Sequence, residues 1–354
     1  MTAVNGEMIA LARESRGWSQ NDLASALGVS QASVSKYEIG SVAVPEQVVR
    51  DIGRVLRYDT SLFYQHESIY GIGGDFLYRS RKRVPAALKR QAQANANIRR
   101  LQVKRLLRSS EVLAPDMFPH IPVDEVGGRP EVVAQEVRKI LRIPSGPIRN
   151  LTRIAERAGA IVFHCDFGTN QIDGTNIRLP GEPPLLFLNS ESSGERLIFS
   201  LAHEIGHLVM HFTSVSENAD QEADVFASEL LMPRSEIRSD LRNFDLNTAL
   251  RLKATWRVSA AALIQRALQL GIISQDQQRR FYTKMNATNM RAVEPLPIEK
   301  EVPEAFDALV RLHKDKMEMD DTEMYRLLYT DEIGSIPVPP MLRLTEYLPF
   351  AQEG

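Results

Sequence analysis

Apolar positions along the chain recur at helical spacing through most of its length, with one short interval of strand-like runs. Near the start, Leu23, Ala24, Leu27, Val29 and Val34 can close a small core between two short helices, each opened by a serine (Ser19 and Ser30) and separated by a turn at Gly28. Another helix begins at Pro45, a residue suited to the first helical position, and carries Val48, Ile52, Val55 and Leu56 inward. Ala86-Ala87-Leu88 with Ile98, Leu101, Leu106 and Leu107 predicts a further amphipathic helix, and Val132, Val133, Val137, Ile140 and Leu141 predict the next. After the break Ser145-Gly146-Pro147, residues 148–158 read as a helix, 160–163 as a strand, and 173–189 as a hairpin-like passage ending in the strand-like Leu185–Asn189.

Two helices follow that carry chemistry as well as a core face. Leu197, Leu201, Ile205, Leu208 and Phe212 place one amphipathic helix, and Ala223, Phe226, Ala227, Leu230 and Leu231 place a second, stopped by Pro233. Between the apolar positions of the first stands His203-Glu204-Ile205-Gly206-His207. At about 100° per residue the two histidines lie ~40° apart with Glu204 in the same sector, so two imidazoles and a carboxylate converge. A catalytic zinc takes three protein ligands and keeps one position open, and a glutamate between the histidines is placed to take a proton from water. The third ligand must come from elsewhere. Glu222, at the edge of the second helix's apolar face, is the candidate, with Glu217, Asp220, Asp224 and Glu229 competing; Asp224 has the alternative task of orienting a histidine.

The stretch Arg196-Leu-Ile-Phe-Ser-Leu-Ala-His203-Glu204-Ile-Gly-His207-Leu-Val-Met-His211, then Glu222-Ala-Asp-Val-Phe-Ala and Leu230-Leu-Met-Pro233, resembles the ImmA/IrrE family of zinc metallopeptidases over residues 145–275. The resemblance implies that His203, His207 and Glu222 bind Zn2+ and that Glu204 is the general base. His211 also matches a frequent family residue, and is read here as packing or as support behind a ligand.

Residues 5–60 resemble the XRE, or lambda-repressor-like, helix-turn-helix family, with Trp18-Ser-Gln at the start of helix two and Tyr37-Glu38-Ile39-Gly40 at the end of helix three. The resemblance makes Gln31 to Tyr37 the recognition helix. Gln31 can then pair with adenine in double-stranded DNA, Ser33, Ser35 and Lys36 can add base or phosphate contacts, and Gln20 acts as a phosphate or positioning contact. The expected architecture is multidomain: an all-α helix-turn-helix domain (1–65), a basic helical connector (66–144), a mostly helical α+β zincin-like peptidase domain (145–275) and a helical C-terminal extension (276–354) patterned from Glu304 to Tyr329.

Charge sharpens the picture. The net charge of the 354 residues is only −2, yet residues 76–110 hold eleven Lys or Arg and no acid: Arg79, Arg81, Lys82, Arg83, Lys89, Arg90, Arg99, Arg100, Lys104, Arg105 and Arg108. Residues 1–60 hold six basic against seven acidic groups, too few to supply the counterion release that drives non-specific binding. The connector is therefore expected to add phosphate contacts, to pack between domains or across a dimer, or to do both on different faces. The single cysteine, Cys165, ends a strand beside His164 and reads as a core thiol; it excludes an intrachain disulfide and fits a reducing, cytoplasmic setting. No apolar run is long enough for a membrane span, residues 1–17 lack the pattern of an export signal, and no internal repeat is present.

Together these readings lead to the expectation of a cytoplasmic transcriptional regulator that binds operator DNA as a homodimer and carries a zinc-dependent endopeptidase acting on a repressor or partner protein. The alternatives are a non-cleaving sensor built on the same domain, and the DNA-binding antitoxin or partner of a two-protein module. His164, Arg196 and His211 are the candidates for stabilising a developing oxyanion.

Overall fold

A computed structural model describes residues 3–70, 84–110, 117–212, 217–290 and 294–330. In chain order the helices are α1 (Gly6–Ser15), α2 (Gln20–Leu27), α3 (Gln31–Glu38), α4 (Glu46–Leu56), α5 (Ala86–Ser110), α6 (Pro130–Ile140), α7 (Leu151–Arg157), α8 (Gly194–Met210), α9 (Ala219–Leu231), α10 (Arg234–Ile237), α11 (Leu246–Trp256), α12 (Ala260–Gln269), α13 (Gln275–Ala287), α14 (Ala305–Lys316) and α15 (Asp321–Leu327). Three strands, β1 (Ile161–Cys165), β2 (Gly174–Ile177) and β3 (Leu185–Asn189), form one sheet. No described helix is long and apolar enough to cross a membrane.

The described residues fall into two compact units. The first gathers residues 3–70, 89–110 and 304–330; the second gathers 84–88, 117–212, 217–290 and 294–303. In the first unit, Leu23, Ala24 and Val34 are buried with Met8, Ile9, Leu11 and Ala12 of α1, while Leu27 and Val29 pack at the margin. Pro45 stands just outside α4 as its cap, and Val49, Ile52 and Leu56 are the residues that α4 buries, with Val48 and Val55 half-buried beside them. Ala94, Ile98 and Leu101, at helical spacing on α5, close this core together with Tyr329. The C-terminal helices are tied to the same unit: Asp59 N donates to Tyr329 O (3.2 Å), Gln102 Nε2 to Leu328 O (2.7 Å) and Arg105 Nη1 to Arg326 O (2.7 Å). Helix α5 and residues 304–330, far apart in the chain, thus complete the helix-turn-helix core.

The basic helix α5 spends much of its charge inside this unit. Lys104 lies 2.5 Å from Glu67 and Arg108 3.3 Å from it, Arg100 is buried over the Tyr70 ring, Arg105 lies over Tyr329 and Arg99 over Phe306. Arg100 is thus buried and Arg99, Lys104 and Arg105 half-buried, while Arg108 stays exposed. Arg79, Arg81, Lys82 and Arg83 lie outside the described residues, as does Pro337-Val-Pro-Pro340.

In the second unit the sheet order is β1-β3-β2, with β1 parallel to β3 in the register Ile161 to Leu185, and β2 antiparallel to β3, Gly174 opposite Leu188. All five residues of β3 are buried, as a central strand covered on both faces requires. Cys165, at the end of β1, is half-buried rather than enclosed. Helix α8 is more deeply buried than a half-exposed amphipathic helix: from Gly194 to Met210 only Arg196 and Phe199 reach the intermediate class. Phe212 falls beyond its end and is exposed, with Arg178 over its ring and His120 edge-on to it.

Candidate functional site

Two helices build the candidate metal site, and a glycine lies at their crossing. A Cβ on Gly206 would stand 3.0 Å from the Phe226 ring and 3.4 Å from Ala223 Cα, so α8 and α9 cross closer than any side chain at residue 206 comfortably allows. That contact brings the acids of α9 against the histidines of α8.

His203 and His207 are buried, with their Nε2 atoms 3.0 Å apart. Asp220 Oδ1 lies 3.5 Å from His207 Nε2, and the ligand atoms of His203, His207 and Asp220 all fall within 4.8 Å of one another. Ligands about 2.0–2.1 Å from a tetrahedral zinc stand about 3.3–3.4 Å apart, and the separations of 3.0 and 3.5 Å bracket that value. Asp220 Oδ1 is buried with no hydrogen-bond partner, an arrangement costly unless a cation completes it.

Behind the rings, His203 Nδ1 lies 2.9 Å from Asp224 Oδ1, His207 Nδ1 lies 3.0 Å from His211 Nδ1, and His211 Nε2 lies 2.8 Å from Glu222 Oε2. With each Nδ1 of His203 and His207 carrying its hydrogen, both Nε2 lone pairs face one another and Asp220, an arrangement that a cation completes. The donor set therefore fits zinc, with nitrogen and carboxylate ligands and every rear hydrogen bond satisfied.

The structure brings His203 and His207 together with Asp220. Glu222 is placed elsewhere: its carboxylate meets His211. The reason is rotational, since Asp220 and Asp224 lie ~40° apart around α9 and face the histidines together, whereas Glu222 is turned ~160° from either. Of the other competing acids, Glu217 is exposed and Glu229 is buried in an ion pair with Arg266. The signal for Asp220 was the four-residue spacing Asp220–Asp224, which gives one acid to the front of the site and one to a ring behind.

Glu204 is buried beside this cluster, and its Oε2 accepts a hydrogen bond from Asn176 Nδ2 on β2 (2.7 Å). Gly174, on the same strand, leaves the room Glu204 occupies: a Cβ there would lie 3.2 Å from both Glu204 Cγ and Oε1. Asn176 escaped the sequence reading because nothing local links residue 176 to residue 204. Among the oxyanion candidates, Arg196 Nε is bound to Asp173 (2.7 Å) and His211 to His207 and Glu222. His164 sits on β1, where burial and then the nearby Lys300 charge hold its pKa at about 4.

In the first unit, Ser19 caps α2 in a reciprocal box with Asp22, Gly28 takes φ +68° at the turn, and Ser30 caps α3 through Ser33 N (3.1 Å). Arg13 and Glu38 form a buried double hydrogen bond (2.6 and 3.0 Å). Gln20 Nε2 donates to the same Glu38 (2.7 Å), and Gln31 Nε2 donates to Gln20 Oε1 (2.6 Å). A buried ion pair thus fixes Gln20, and Gln20 fixes the exposed Gln31 at the start of α3. Lys36 is exposed, Ser35 is half-buried, and the Ser33 hydroxyl is engaged with Ser30 (2.9 Å).

Residues 155–268 match the IrrE N-terminal-like domain family, and residues 6–63 match a helix-turn-helix domain family. No curated protein matches the chain. The chain therefore joins a helix-turn-helix DNA-binding domain to an ImmA/IrrE-type domain, an architecture that suits a regulator.

Proposed function

We propose that the protein is a cytoplasmic transcriptional regulator that binds operator DNA as a homodimer and carries a zinc-dependent endopeptidase acting on a repressor or partner protein. One observation carries the peptidase reading: two buried imidazole nitrogens and an unpartnered buried carboxylate oxygen converge beside Glu204. His203, His207 and Asp220 would hold the ion, in place of the Glu222 expected from sequence. When bound, zinc supplies Lewis-acid polarisation of a peptide carbonyl and acidifies a coordinated water. Glu204 would take a proton from a water in the site and return it to the leaving amine, a two-way task that needs a fixed carboxylate. Asn176 fixes it by holding Oε2.

On the DNA side, the amide of Gln31, anchored through Gln20, is suited to the N6/N7 edge of an adenine, with Lys36, Ser33 and Ser35 contributing base or phosphate contacts. The engaged hydroxyl of Ser33 makes it the weakest of these contributors.

The test pairs wild type with Glu204→Gln. Purified proteins are assayed for bound zinc and incubated with candidate repressors and with the chain itself. The proposal expects zinc in both and cleavage by wild type alone. Zinc without any cleavage that the variant spares would leave a sensor domain instead, and absence of zinc would defeat the metal centre. Gln31→Ala should change operator preference in a binding titration; unchanged preference would remove Gln31 as a reading residue.

A further inference from the structure

From Gly17 to Ser35, the span that holds α2, the turn and the start of α3, the chain has no Lys or Arg and one acid, Asp22. Asp22 is drawn into the α2 cap, where its carboxylate accepts from both the N–H and the hydroxyl of Ser19 (2.7 Å each), so the start of α2 presents a negative group. Of the bases on either side, Arg13 is buried against Glu38, Arg16 turns to the carbonyls of Leu56 and Arg57, and Lys36 lies in the last turn of α3. In a helix-turn-helix the helix before the reading helix crosses the phosphate backbone, and binding draws its sequence-independent strength from bases beside that backbone. Charge for that crossing has to come from another element.

Helix α5 brings that charge to the α1–α2 turn. Gln91 Nε2 donates to Ser15 O (3.4 Å), and a Cβ on Gly17, which takes φ +72°, would stand 3.1 to 3.2 Å from the Gln91 amide. Arg90 Nε lies 3.8 Å from Glu14 Oε1, and the Arg90 side chain is 58% exposed. At that separation Glu14 draws the guanidinium toward the turn without the short contact of a hydrogen bond. Lys89 precedes Arg90, and residues 86–98 hold these two bases and no acid. Gly17 is three residues from Gln20, at most about 11 Å along the backbone, and Gln20 is hydrogen-bonded to Gln31 at the reading end of α3 (2.6 Å).

We propose that Lys89 and Arg90 form a phosphate-contacting surface beside the α1–α2 turn, gripping the backbone that α2 crosses while α3 reads the bases. The surface rests on the operator-binding reading above and adds to it a contact that carries no sequence information. The far half of the same helix does not share the task, since Lys104 and Arg108 lie against Glu67 and Arg100 is buried.

The experiment uses the full chain and the duplex that it selects from a random-sequence pool. Affinity for that duplex and for an unrelated one is measured from about 50 to 200 mM salt for wild type, Lys89→Gln, Arg90→Gln, Arg90→Lys, the double glutamine variant and Arg108→Gln. Each lost phosphate contact should flatten the slope of log K against log salt by about 0.9 per bound copy, and the double variant should lose about 1.8. Over that fourfold rise in salt, wild type should weaken about 12-fold more than the double variant per bound copy. The preference for the selected over the unrelated duplex should stay as in wild type. Arg90→Lys, which keeps the charge, and Arg108→Gln, beside Glu67, should both keep the wild-type slope.

A double variant with the wild-type slope would overturn the proposal. Equal flattening in Arg108→Gln would overturn it as well, by tracing the effect to net charge rather than to this surface, and flattening in Arg90→Lys would trace it to packing. A changed preference between the two duplexes in the double variant would make these residues base readers and overturn it too. A wild type that selects no duplex would defeat the operator reading together with this one, whereas a wild type that selects one, with variants indifferent in slope, would defeat the phosphate surface alone.

Discussion

Lys253→Met tests how α8 is anchored. Lys253, on α11, is fully buried, with Nζ 2.7 Å from Glu195 Oε1 and 2.9 Å from Glu294 Oε2. Glu195 lies in the first turn of α8, and Glu294 also accepts the N–H groups of Ala260 and Ala261 at the start of α12. Burial alone would raise the Glu195 carboxyl, but Lys253 overrides it and the carboxyl sits below its usual range. Methionine keeps the length of the stem and removes the ammonium. Two hydrogen bonds between charged groups are lost, about 1.5–3 kcal/mol each. Glu294 keeps its two backbone donors, so the loss falls toward the lower part of that sum, consistent with about 3–5 kcal/mol for breaking a buried pair. For a unit of this size that is a fall in Tm of about 6–20 °C. Urea unfolding followed by circular dichroism should show a lower midpoint at unchanged slope. The triple variant Lys253→Met/Glu195→Gln/Glu294→Gln, with no buried charge left over, should recover much of the loss. A single variant within about 1 kcal/mol of wild type, or a triple variant no better than the single, would refute the reasoning.

Three further outcomes are expected. Gly206→Val pushes into Phe226 and Ala223 at the α8–α9 crossing, and should cost about 1–3 kcal/mol while weakening zinc binding; a melt and a zinc titration both matching wild type would contradict the close approach. Arg13→Met leaves Glu38 buried without its guanidinium, so the first unit should lose about 3–5 kcal/mol and Gln20 and Gln31 their fixed arrangement, checked by thermal unfolding and by operator selection. His164, held at about 4 in the folded chain against an ordinary 6.5, stays neutral where the unfolded chain gains a proton. Stability is therefore full above pH 6.5 and falls as pH drops toward 4, by at most about 3 kcal/mol and less for a partly exposed ring. Unfolding midpoints at pH 7 and pH 5 should differ less in His164→Gln than in wild type, and equal differences would exclude His164 as a source of the slope.

Whatever depends on neighbours a turn or two away was legible in the sequence. The serine caps, the turn at Gly28, the strand Leu185–Asn189, the helix stopped before Pro233 and the convergence of His203, Glu204 and His207 all follow from backbone preference and the 100° step of a helix. Tertiary structure decided the rest. Which acid of α9 faces the histidines depends on how that helix is rotated against α8, and the contact of Gly206 with Phe226 and Ala223 sets this; hence Asp220 stands at the front and Glu222 meets His211. Asn176 reaches Glu204 only because β2 lies against α8, and the basic helix α5 proves to be a core element only once Ala94, Ile98, Leu101 and Tyr329 are seen to close one cluster. Periodicity tells which face of a helix is apolar; it says nothing about which distant helix that face will meet, because that choice is made by packing among side chains far apart in the chain.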